Sequence, residues 1–121
     1  MPAPPKRWPV KDRKVVKTVR RLAAEPGHVR ATARSMRDMA DLRITVAGVC
    51  QLICDWIDAG QELMETITRY DTKHFGMPAY ELYPVAEEIP LFVKVTIIDR
   101  GSDLELLLLV SAHRQEGGRH P

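Results

Sequence analysis

The sequence predicts an α+β domain in which N-terminal helices pack on one face of a small antiparallel sheet. Apolar side chains recur at helical spacing up to about residue 70, and from Tyr80 to His113 they recur at every second position. Helices followed by a cluster of strands are typical of an α+β fold. A chain of 121 residues suits one domain with one modest core.

The first helix is predicted to begin after Asp12, whose carboxylate can cap it, and to end near Ala24, because Pro26 and Gly27 follow. The next segment, HVRAT, is predicted to be a short extended piece. Apolar side chains recur along the helix at i, i+4, i+7 and i+8. They are Val15, Val19, Leu22 and Ala23.

Two further helices follow. A short one is predicted from Thr32 or Ser35 to Asp41, and Thr45 caps the next, VAGVCQLICDWID. The apolar stripe of this last helix at i, i+3, i+4 and i+7 predicts that it is the central core helix. The stripe consists of Val49, Leu52, Ile53 and Trp56.

Asp58 and Gln61 have the spacing of a capping box for a fourth helix, which carries Leu63, Met64 and Ile67 and is predicted to end near Tyr70. The loop DTKHFGMP follows it. The segment YELYPVA, from Tyr80, is predicted to be a strand. Pro84 places this strand at an edge or interrupts it, because proline lacks the N–H of a ladder bond.

The two strongest predicted strands are LFVKVTII and LELLLLVSAH. A turn centred on Gly101 and Ser102 pairs Asp99 with Leu104. One face of this hairpin is then wholly apolar and is predicted to pack on the helices. It carries Leu91, Val93, Val95, Ile97, Leu106, Leu108, Val110 and Ala112. The other face carries Phe92, Lys94, Thr96, Ile98, Glu105, Leu107, Leu109, Ser111 and His113.

Residues 1–11 are predicted to be a flexible basic Pro-rich arm, residues 12–114 a single domain, and residues 115–121 a flexible tail. The arm lacks the apolar region of a secretory signal, and no apolar run approaches the roughly 18 residues that span a bilayer. Cys50 and Cys54 are the only cysteines and are predicted to be small buried side chains. We therefore expect a cytoplasmic protein without a membrane segment.

No metal site and no cofactor are predicted. Two thiols four residues apart, without further Cys or His at ligand spacing, do not make a zinc site. Phosphate-binding glycine loops are absent from the sequence.

Charge is distributed unevenly along the chain. Residues 1–43 carry twelve Lys or Arg against four acids, a formal charge of +8, whereas residues 44–121 sum to −6. Such a basic segment favours a surface that faces a polyanion, with nucleic acid as the first candidate. Lys17, Arg20 and Arg21 of the first helix are then predicted to contact phosphates. The alternative is an ordinary solvated helix face.

Lys94 interrupts an otherwise apolar strand, and the predicted register places it near Phe92, Ser111 and His113. A cation, an aromatic ring, a hydroxyl and an imidazole on a rigid sheet can hold a nucleotide. The alternative is a half-exposed sheet face with ordinary polar residues, as is common in antiparallel sheets.

The order of several short segments matches a known family. In sequence order they are KVVKTVRRL, GHVRATARS, AGVCQLI, TITRY, LYP, FVKVTI and LLLLVSAH, and they cover most of the chain. With them the chain resembles the MqsR (motility quorum-sensing regulator) family of bacterial toxins. The resemblance implies a RelE-like fold and the toxin of a type II toxin–antitoxin system, a metal-independent endoribonuclease that cleaves mRNA. It also implies a cognate antitoxin, usually a zinc-containing, DNA-binding protein.

The resemblance implies an RNA-cleaving site formed by a Lys, a Gln, a Tyr and a second Lys. This sequence departs at each position: it has Glu65 for the first, Met77 or Tyr80 for the second, Phe92 for the third and His113 for the fourth. Lys94, within FVKVTI, does match the family. One interpretation is therefore cleavage with changed chemistry, and the other is loss of cleavage.

If cleavage is kept, Glu65 as base and His113 as acid are the candidate pair, with His74 as the alternative to His113. Stabilisation of phosphate charge is assigned to Lys94, Arg114, Lys73 or Arg69. Stacking on bases is assigned to Tyr70, Tyr80 or Phe92.

If cleavage is lost, the chain is a catalytically altered toxin-fold protein that acts as an RNA- or protein-binding regulator. A DNA-binding regulator is less well supported, because no helix-turn-helix pattern stands out.

Overall fold

The computed structural model describes residues 7–67 and 76–115, and within them the chain forms three α-helices and a seven-stranded sheet. The helices are α1 (Arg13–Ala23), α2 (Ala33–Leu42) and α3 (Val46–Asp58). The strands are β1 (Trp8–Pro9), β2 (Val29–Ala31), β3 (Met64–Ile67), β4 (Pro78–Leu82), β5 (Val85–Ala86), β6 (Ile89–Ile98) and β7 (Leu106–Arg114). The predicted α+β class is confirmed.

Each helix begins at a polar side chain that the sequence places correctly. Asp12 accepts a hydrogen bond from the backbone N–H of Lys14, and Thr32 and Thr45 cap α2 and α3 in the same manner. Such caps satisfy N–H groups that have no partner within the helix. The three predicted helices are confirmed.

The strands lie in the order β1-β3-β4-β6-β7-β2, and β5 pairs only with the start of β6. Every pairing is antiparallel except that of β2 with β7, so the sheet is mixed rather than purely antiparallel. The short extended piece predicted between α1 and α2 is β2. Beyond the end of β2, α2 continues along the same edge of β7, where the Ser35 hydroxyl donates to the carbonyl of Leu109 at 2.9 Å.

The predicted fourth helix is wrong, because β3 (Met64–Ile67) occupies the middle of its range. Gly60, with φ of +79°, follows α3, and the chain then becomes extended between β1 and β4. Thr66 and Ile67 are β-branched and favour a strand. Hydrogen bonds to β1 and β4 stabilise the strand more than a capping box, followed by only a few apolar residues, stabilises a helix. The remainder of that prediction and most of the following loop lie in residues 68–75, outside the described residues.

The core lies between α1, α3 and one face of the sheet, called here the helix-packed face. The predicted stripes of α1 and α3 supply its helical side, with Val19, Val49 and Ile53 completely buried. On the sheet its central residues are Val93, Val95, Leu107 and Leu109, all completely buried.

A β-bulge in β7 sets the register of the central hairpin. Pairing runs from Ile98 opposite Leu106 to Val95 opposite Leu109, and resumes with Lys94 opposite Ser111. Val110 is the extra residue between these two stretches. The predicted pairing of Asp99 with Leu104 is wrong, because the connection is longer than a tight turn and β7 begins only at Leu106.

The bulge changes the phase of β7 along its length. Before it, Leu107 and Leu109 lie on the helix-packed face, so the predicted assignment of Leu106 and Leu108 to that face is wrong. After it, Ala112 is on the helix-packed face as predicted. Because of the extra residue, the predicted faces are correct from Ser111 to His113 although they are wrong before the bulge.

Part of the predicted arm belongs to the sheet. Trp8 and Pro9 form β1 and pair with β3, and the backbone N–H of Val10 donates to the carbonyl of Leu63 at 2.9 Å. Residues 1–6 and 116–121 lie outside the described residues. None of the described helices has the length and apolarity needed to cross a bilayer.

Deletion of Val110 tests the register of the hairpin. Without this residue, Leu109 and Ser111 become neighbours and the ladder is regular. All the remaining side chains of β7 keep their present faces. The main loss is a long hydrogen bond of 3.3 Å from Thr32 to the carbonyl of Val110. We expect a cooperative urea transition and a free energy of unfolding within about 2 kcal/mol of the parent.

Deletion of Thr96 from the neighbouring strand β6 is the matched control. It leaves β7 with two unmatched residues and moves one half of β6 to the wrong face. We expect this variant to show no cooperative unfolding transition. Equal behaviour of the two deletions would contradict the register.

Candidate functional site

The face of the sheet opposite the helix-packed face carries the polar residues of interest. Phe92 lies directly opposite His113, and Lys94 lies directly opposite Ser111. Directly opposed residues of an antiparallel pair project to the same side. The four side chains that the sequence grouped together are therefore on one face, as predicted.

This opposite face is largely buried rather than half-exposed. Glu81 is 1% exposed, Thr96 is completely buried and Phe92 is 6% exposed. Lys94, Ser111 and His113 are half-buried and lie towards the end of the hairpin. Any ligand therefore meets this group at the end of the strands and not across an open sheet surface.

Phe92 belongs to a row of rings. Its ring centroid lies 5.2 Å from that of His113 and 5.9 Å from that of Tyr83, which in turn meets Trp56 edge-on at 6.4 Å. Because Phe92 is almost completely buried within this row, it has little surface to offer a base. The structure places it as support for the imidazole of His113 instead of as a stacking platform.

His113 is oriented by the backbone of the next residue. Its Nδ1 lies 2.8 Å from the carbonyl oxygen of Arg114. A carbonyl oxygen can only accept, so Nδ1 carries the proton and Nε2 is the nitrogen that gains or loses one. The ring of Phe92 and this hydrogen bond together fix the imidazole plane.

A cleft of about 620 Å³ lies between α2 and the end of β7, and we call it the α2–β7 cleft. Its lining residues are Arg34, Asp38, Asp41, Leu42, His113, Arg114 and Gln115. The first three are spaced i, i+4 and i+7 along α2 and so form one stripe of that helix. His113 thus joins the cleft to the opposite face of the sheet.

Sequence reasoning missed the contribution of α2. Arg34 and Asp38 were not identified as site residues, because nothing in their local pattern shows that α2 runs beside the end of β7. The side-chain oxygen Oδ2 of Asp38 is buried and has no hydrogen-bond partner in the described part of the chain. Among the described residues it is the one buried side-chain oxygen or nitrogen in that condition.

Glu81, on the opposite face, is a further residue that was not predicted to belong to a site. Its buried carboxylate accepts hydrogen bonds from the guanidinium of Arg7 and, at 3.0 Å, from the hydroxyl of Tyr83, and it lies opposite Lys94 in the ladder. Burial, and next the nearby charge of Glu81, raise the pKa of Tyr83 to about 12. The available signal in the sequence was Glu81 itself, a charged residue within the predicted strand YELYPVA.

Glu65 does not lie with His113. It is opposite Tyr80, which belongs to the core on the helix-packed face, whereas His113 is on the other side of the sheet. Burial, and next the charge of Glu65, raise the pKa of Tyr80. Tyr80 itself is 4% exposed and offers little surface for stacking on a base. The structure therefore separates the candidate pair of Glu65 and His113.

Two of the basic residues on α1 are paired within the chain. Arg20 donates to both carboxylate oxygens of Asp58 at 2.9 Å, and Arg21 pairs with Glu105. The hydrogen bond from Arg20 lowers the pKa of Asp58. The N–H of Gly101, and next the guanidinium of Arg21, lower the pKa of Glu105.

These contacts do not favour a phosphate-binding surface that includes Arg20 and Arg21. Lys17, from the same group, is exposed on α1, and Arg114 is exposed at the cleft. The other predicted RNA contacts lie outside the described residues: Arg69, Tyr70, Lys73 and His74.

Cys50 and Cys54 are free and buried, as predicted. Burial, and next the neighbouring Cys54, raise the pKa of Cys50 to about 11. A thiol in this state is a poor nucleophile and a poor metal ligand at neutral pH. Over residues 7–67 and 76–115, no three His, Cys, Asp or Glu side chains cluster in a way that could hold a metal ion.

Comparison of the chain with protein-family models, curated proteins and solved structures finds no match. The function is therefore inferred from the geometry of the α2–β7 cleft and from the sequence segments that resemble the MqsR family.

The buried carboxylate of Glu81 allows a test of the opposite face. Arg7→Ala leaves a buried charge without its guanidinium, so we expect the free energy of unfolding to fall by about 3 kcal/mol. In a Glu81→Gln background the charge is absent, and the same change should cost less than half as much. Urea unfolding of the four proteins measures both effects.

Arg13→Ala is the control for loss of a guanidinium, since Arg13 is exposed on α1. It should change the free energy of unfolding by less than about 0.5 kcal/mol. If Arg7→Ala lowers the free energy of unfolding equally in the parent and in the Glu81→Gln variant, the side chains of Arg7 and Glu81 are not coupled.

Proposed function

We propose that this protein is a metal-independent endoribonuclease of the type II toxin class, with a RelE-like fold, that cleaves mRNA in the α2–β7 cleft. The observation that supports this most is His113. Its Nδ1 is held by a backbone carbonyl and its ring lies against Phe92, and the residue lines a cleft that also contains two arginines. An imidazole held in one tautomer is suited to transfer protons at one position.

The reaction needs three contributions. A base removes the proton of the ribose 2′-hydroxyl, an acid protonates the leaving 5′-oxygen, and cations stabilise the charge on phosphorus. Nε2 of His113 is the acid in this proposal, because it can carry the second proton of an imidazolium ion. A positioned acid of this kind contributes on the order of 10²–10⁴-fold in rate.

The cations of the cleft are Arg34 on α2 and Arg114 at the end of β7. A guanidinium presents parallel N–H donors that match phosphate oxygens. Lys94 is half-buried between Glu81 and Ser111 in the ladder, on the side of the sheet that His113 occupies. Its charge therefore contributes to the local potential without direct contact with the phosphate.

The element order supports the toxin class. The described parts of the segments that carry the resemblance to the MqsR family fall, in order, in α1, in β2 with the start of α2, in α3, at the ends of β3 and β4, in β6 and in β7. With the family comes the expectation of a cognate antitoxin and of action in the cytoplasm. The antitoxin is the zinc-containing, DNA-binding partner of such a toxin.

The alternative function is RNA or protein binding without cleavage. It is favoured by the departures at the positions implied by the family: Glu65 faces the helices, and Phe92 lacks a hydroxyl and is buried. The cleft and its arginines remain available to a ligand under this alternative. The two functions differ in whether RNA is cut.

Incubation of the protein with mixed-sequence RNA in excess EDTA tests the proposal. We expect fragments that end in a 2′,3′-cyclic phosphate or a 3′-phosphate. His113→Ala should lower the cleavage rate at least about 10²-fold. His28→Ala, in an exposed turn where His28 pairs with Glu25, removes an imidazole that does not line the cleft and should leave the rate unchanged.

Intact RNA after incubation with the parent protein would contradict the endoribonuclease proposal. In that case, binding of the same RNA that weakens with rising salt and on Arg34→Ala would favour the alternative. Cleavage that survives His113→Ala would contradict the role of His113.

A further inference from the structure

We propose that Asp38 is the general base that activates the ribose 2′-hydroxyl opposite the acid His113. This inference rests on the proposed endoribonuclease function and replaces Glu65, which lies on the other side of the sheet. Three features of the α2–β7 cleft carry it: the unpaired oxygen of Asp38, the position of Asp38 on α2, and the cations around it.

The unpaired oxygen is the first feature. Oδ2 of Asp38 is buried and accepts no hydrogen bond from any residue of the ranges 7–67 and 76–115. A buried carboxylate oxygen without a donor costs free energy on the order of 1–3 kcal/mol, so most such oxygens are paired. A ribose 2′-hydroxyl is a donor from which this carboxylate can accept, and that contact is the one a general base must make before it removes the proton.

Access to the cleft does not require a change in the backbone. Asp38 lines the α2–β7 cleft, and the torsion about its Cβ–Cγ bond is broad and nearly two-fold. Rotation about this bond exchanges the two carboxylate oxygens. Either carboxylate oxygen can therefore accept a hydrogen bond from a hydroxyl that enters the cleft.

The position of Asp38 on α2 is the second feature. α2 is fixed to β7 by the Ser35 hydroxyl, which donates to the carbonyl of Leu109, and by the N–H of Thr32, which donates to the same carbonyl at 3.1 Å. Met39, next to Asp38, is buried in the core. Asp38 therefore stands on a rigid helix and faces a strand end on which His113 is also fixed, as a pair of proton-transfer groups requires.

The charges that face Asp38 are the third feature. Arg34 and Asp41 flank it on α2, and His113 and Arg114 face it from β7. With the imidazolium form of His113, three cations oppose two carboxylates in the cleft, and the charge of one phosphate balances the third. Asp41 is exposed and keeps solvent as its partner, whereas Asp38 has one oxygen that solvent does not reach. Of the two carboxylates, Asp38 is therefore the one placed to take a proton from a bound hydroxyl.

The step balances without a further reactant. Asp38 takes the proton of the 2′-hydroxyl as O2′ forms a bond to phosphorus. The bond from phosphorus to O5′ breaks, and Nε2 of the His113 imidazolium gives its proton to O5′. The products are a 2′,3′-cyclic phosphate and a 5′-hydroxyl. Asp38 is left protonated and His113 neutral, and exchange with water restores both.

Asp38→Asn in the full chain tests this role, because it keeps the shape of the side chain and removes the basic oxygen. We expect the single-turnover cleavage rate to fall at least about 10²-fold. Affinity for the same RNA made uncleavable by a 2′-deoxy substitution should change less than about threefold. The acidic limb of the pH–rate profile, which reports the base, should disappear from the residual activity.

Two more variants complete the test. Asp38→Ala removes the base without adding an amide, and its activity should be equally low if its thermal unfolding remains cooperative. Asp55→Asn changes an exposed Asp on α3 that accepts a hydrogen bond from Gln51 at 2.8 Å, and it should cleave like the parent.

The outcomes are distinguishable. Full cleavage by a folded Asp38→Asn or Asp38→Ala, with cleavage lost in His113→Ala, would overturn the role of Asp38 and leave the endoribonuclease function intact. Loss of RNA affinity in parallel with rate would make Asp38 a binding residue and would overturn its role as base. Intact RNA with the parent protein would overturn both proposals.

Discussion

One extra residue in β7 determines which side chains share a face of this protein. A strand changes face at every residue, so the phase set by Leu107 and Leu109 would place His113 among the apolar residues of the core if the ladder continued regularly. The bulge at Val110 reverses the phase. It keeps the core contacts of the first half of β7 and turns His113 towards Phe92 and the α2–β7 cleft. Bulges commonly re-aim a side chain in this manner.

The bulge also lies where the edge of β7 changes its partner. Up to Leu109 the outer edge of β7 pairs with β2. At the start of α2, the hydroxyl of Ser35 then donates a hydrogen bond to the carbonyl of Leu109, and the hydroxyl of Thr32 donates to that of Val110. α2 can therefore run beside the end of β7, which places Arg34 and Asp38 opposite His113. The cleft is a consequence of strand register.

Charge separation along the chain has a structural role within the fold. Within the part of the chain that the structure describes, ion pairs with a wide sequence separation join the basic first third to the acidic remainder: Arg7 with Glu81, Arg20 with Asp58 and Arg21 with Glu105. The pairs involving Arg20 and Arg21 are solvent-accessible and contribute modestly to stability. The pair formed by Arg7 is different, because Glu81 is buried. Part of the +8 charge of residues 1–43 is therefore balanced within the molecule and does not act on a ligand.

Local signals in the sequence were sufficient for the helices. Asp12, Thr32 and Thr45 cap them because capping depends on a side chain and the backbone two or three residues away. The segment before Ile67 was assigned to a helix because its strand form depends on β1 and β4, which are distant in sequence. The pairing of the hairpin was wrong near its turn, although the group of Phe92, Lys94, Ser111 and His113 was correct, because the bulge restored the predicted phase. Asp38 and Arg34 could not be predicted, since they become site residues only through the packing of α2 beside β7.

The most direct test of this account is the environment of the His113 ring in solution. Nuclear Overhauser effects between ring protons of His113 and Phe92 are expected, since the ring centroids are 5.2 Å apart. The ¹⁵N shifts of the neutral imidazole should show a protonated Nδ1, as the hydrogen bond to the carbonyl of Arg114 requires. Overhauser effects from His113 to Val93 or Leu109 on the helix-packed face, with none to Phe92, would contradict the register and the site that depends on it.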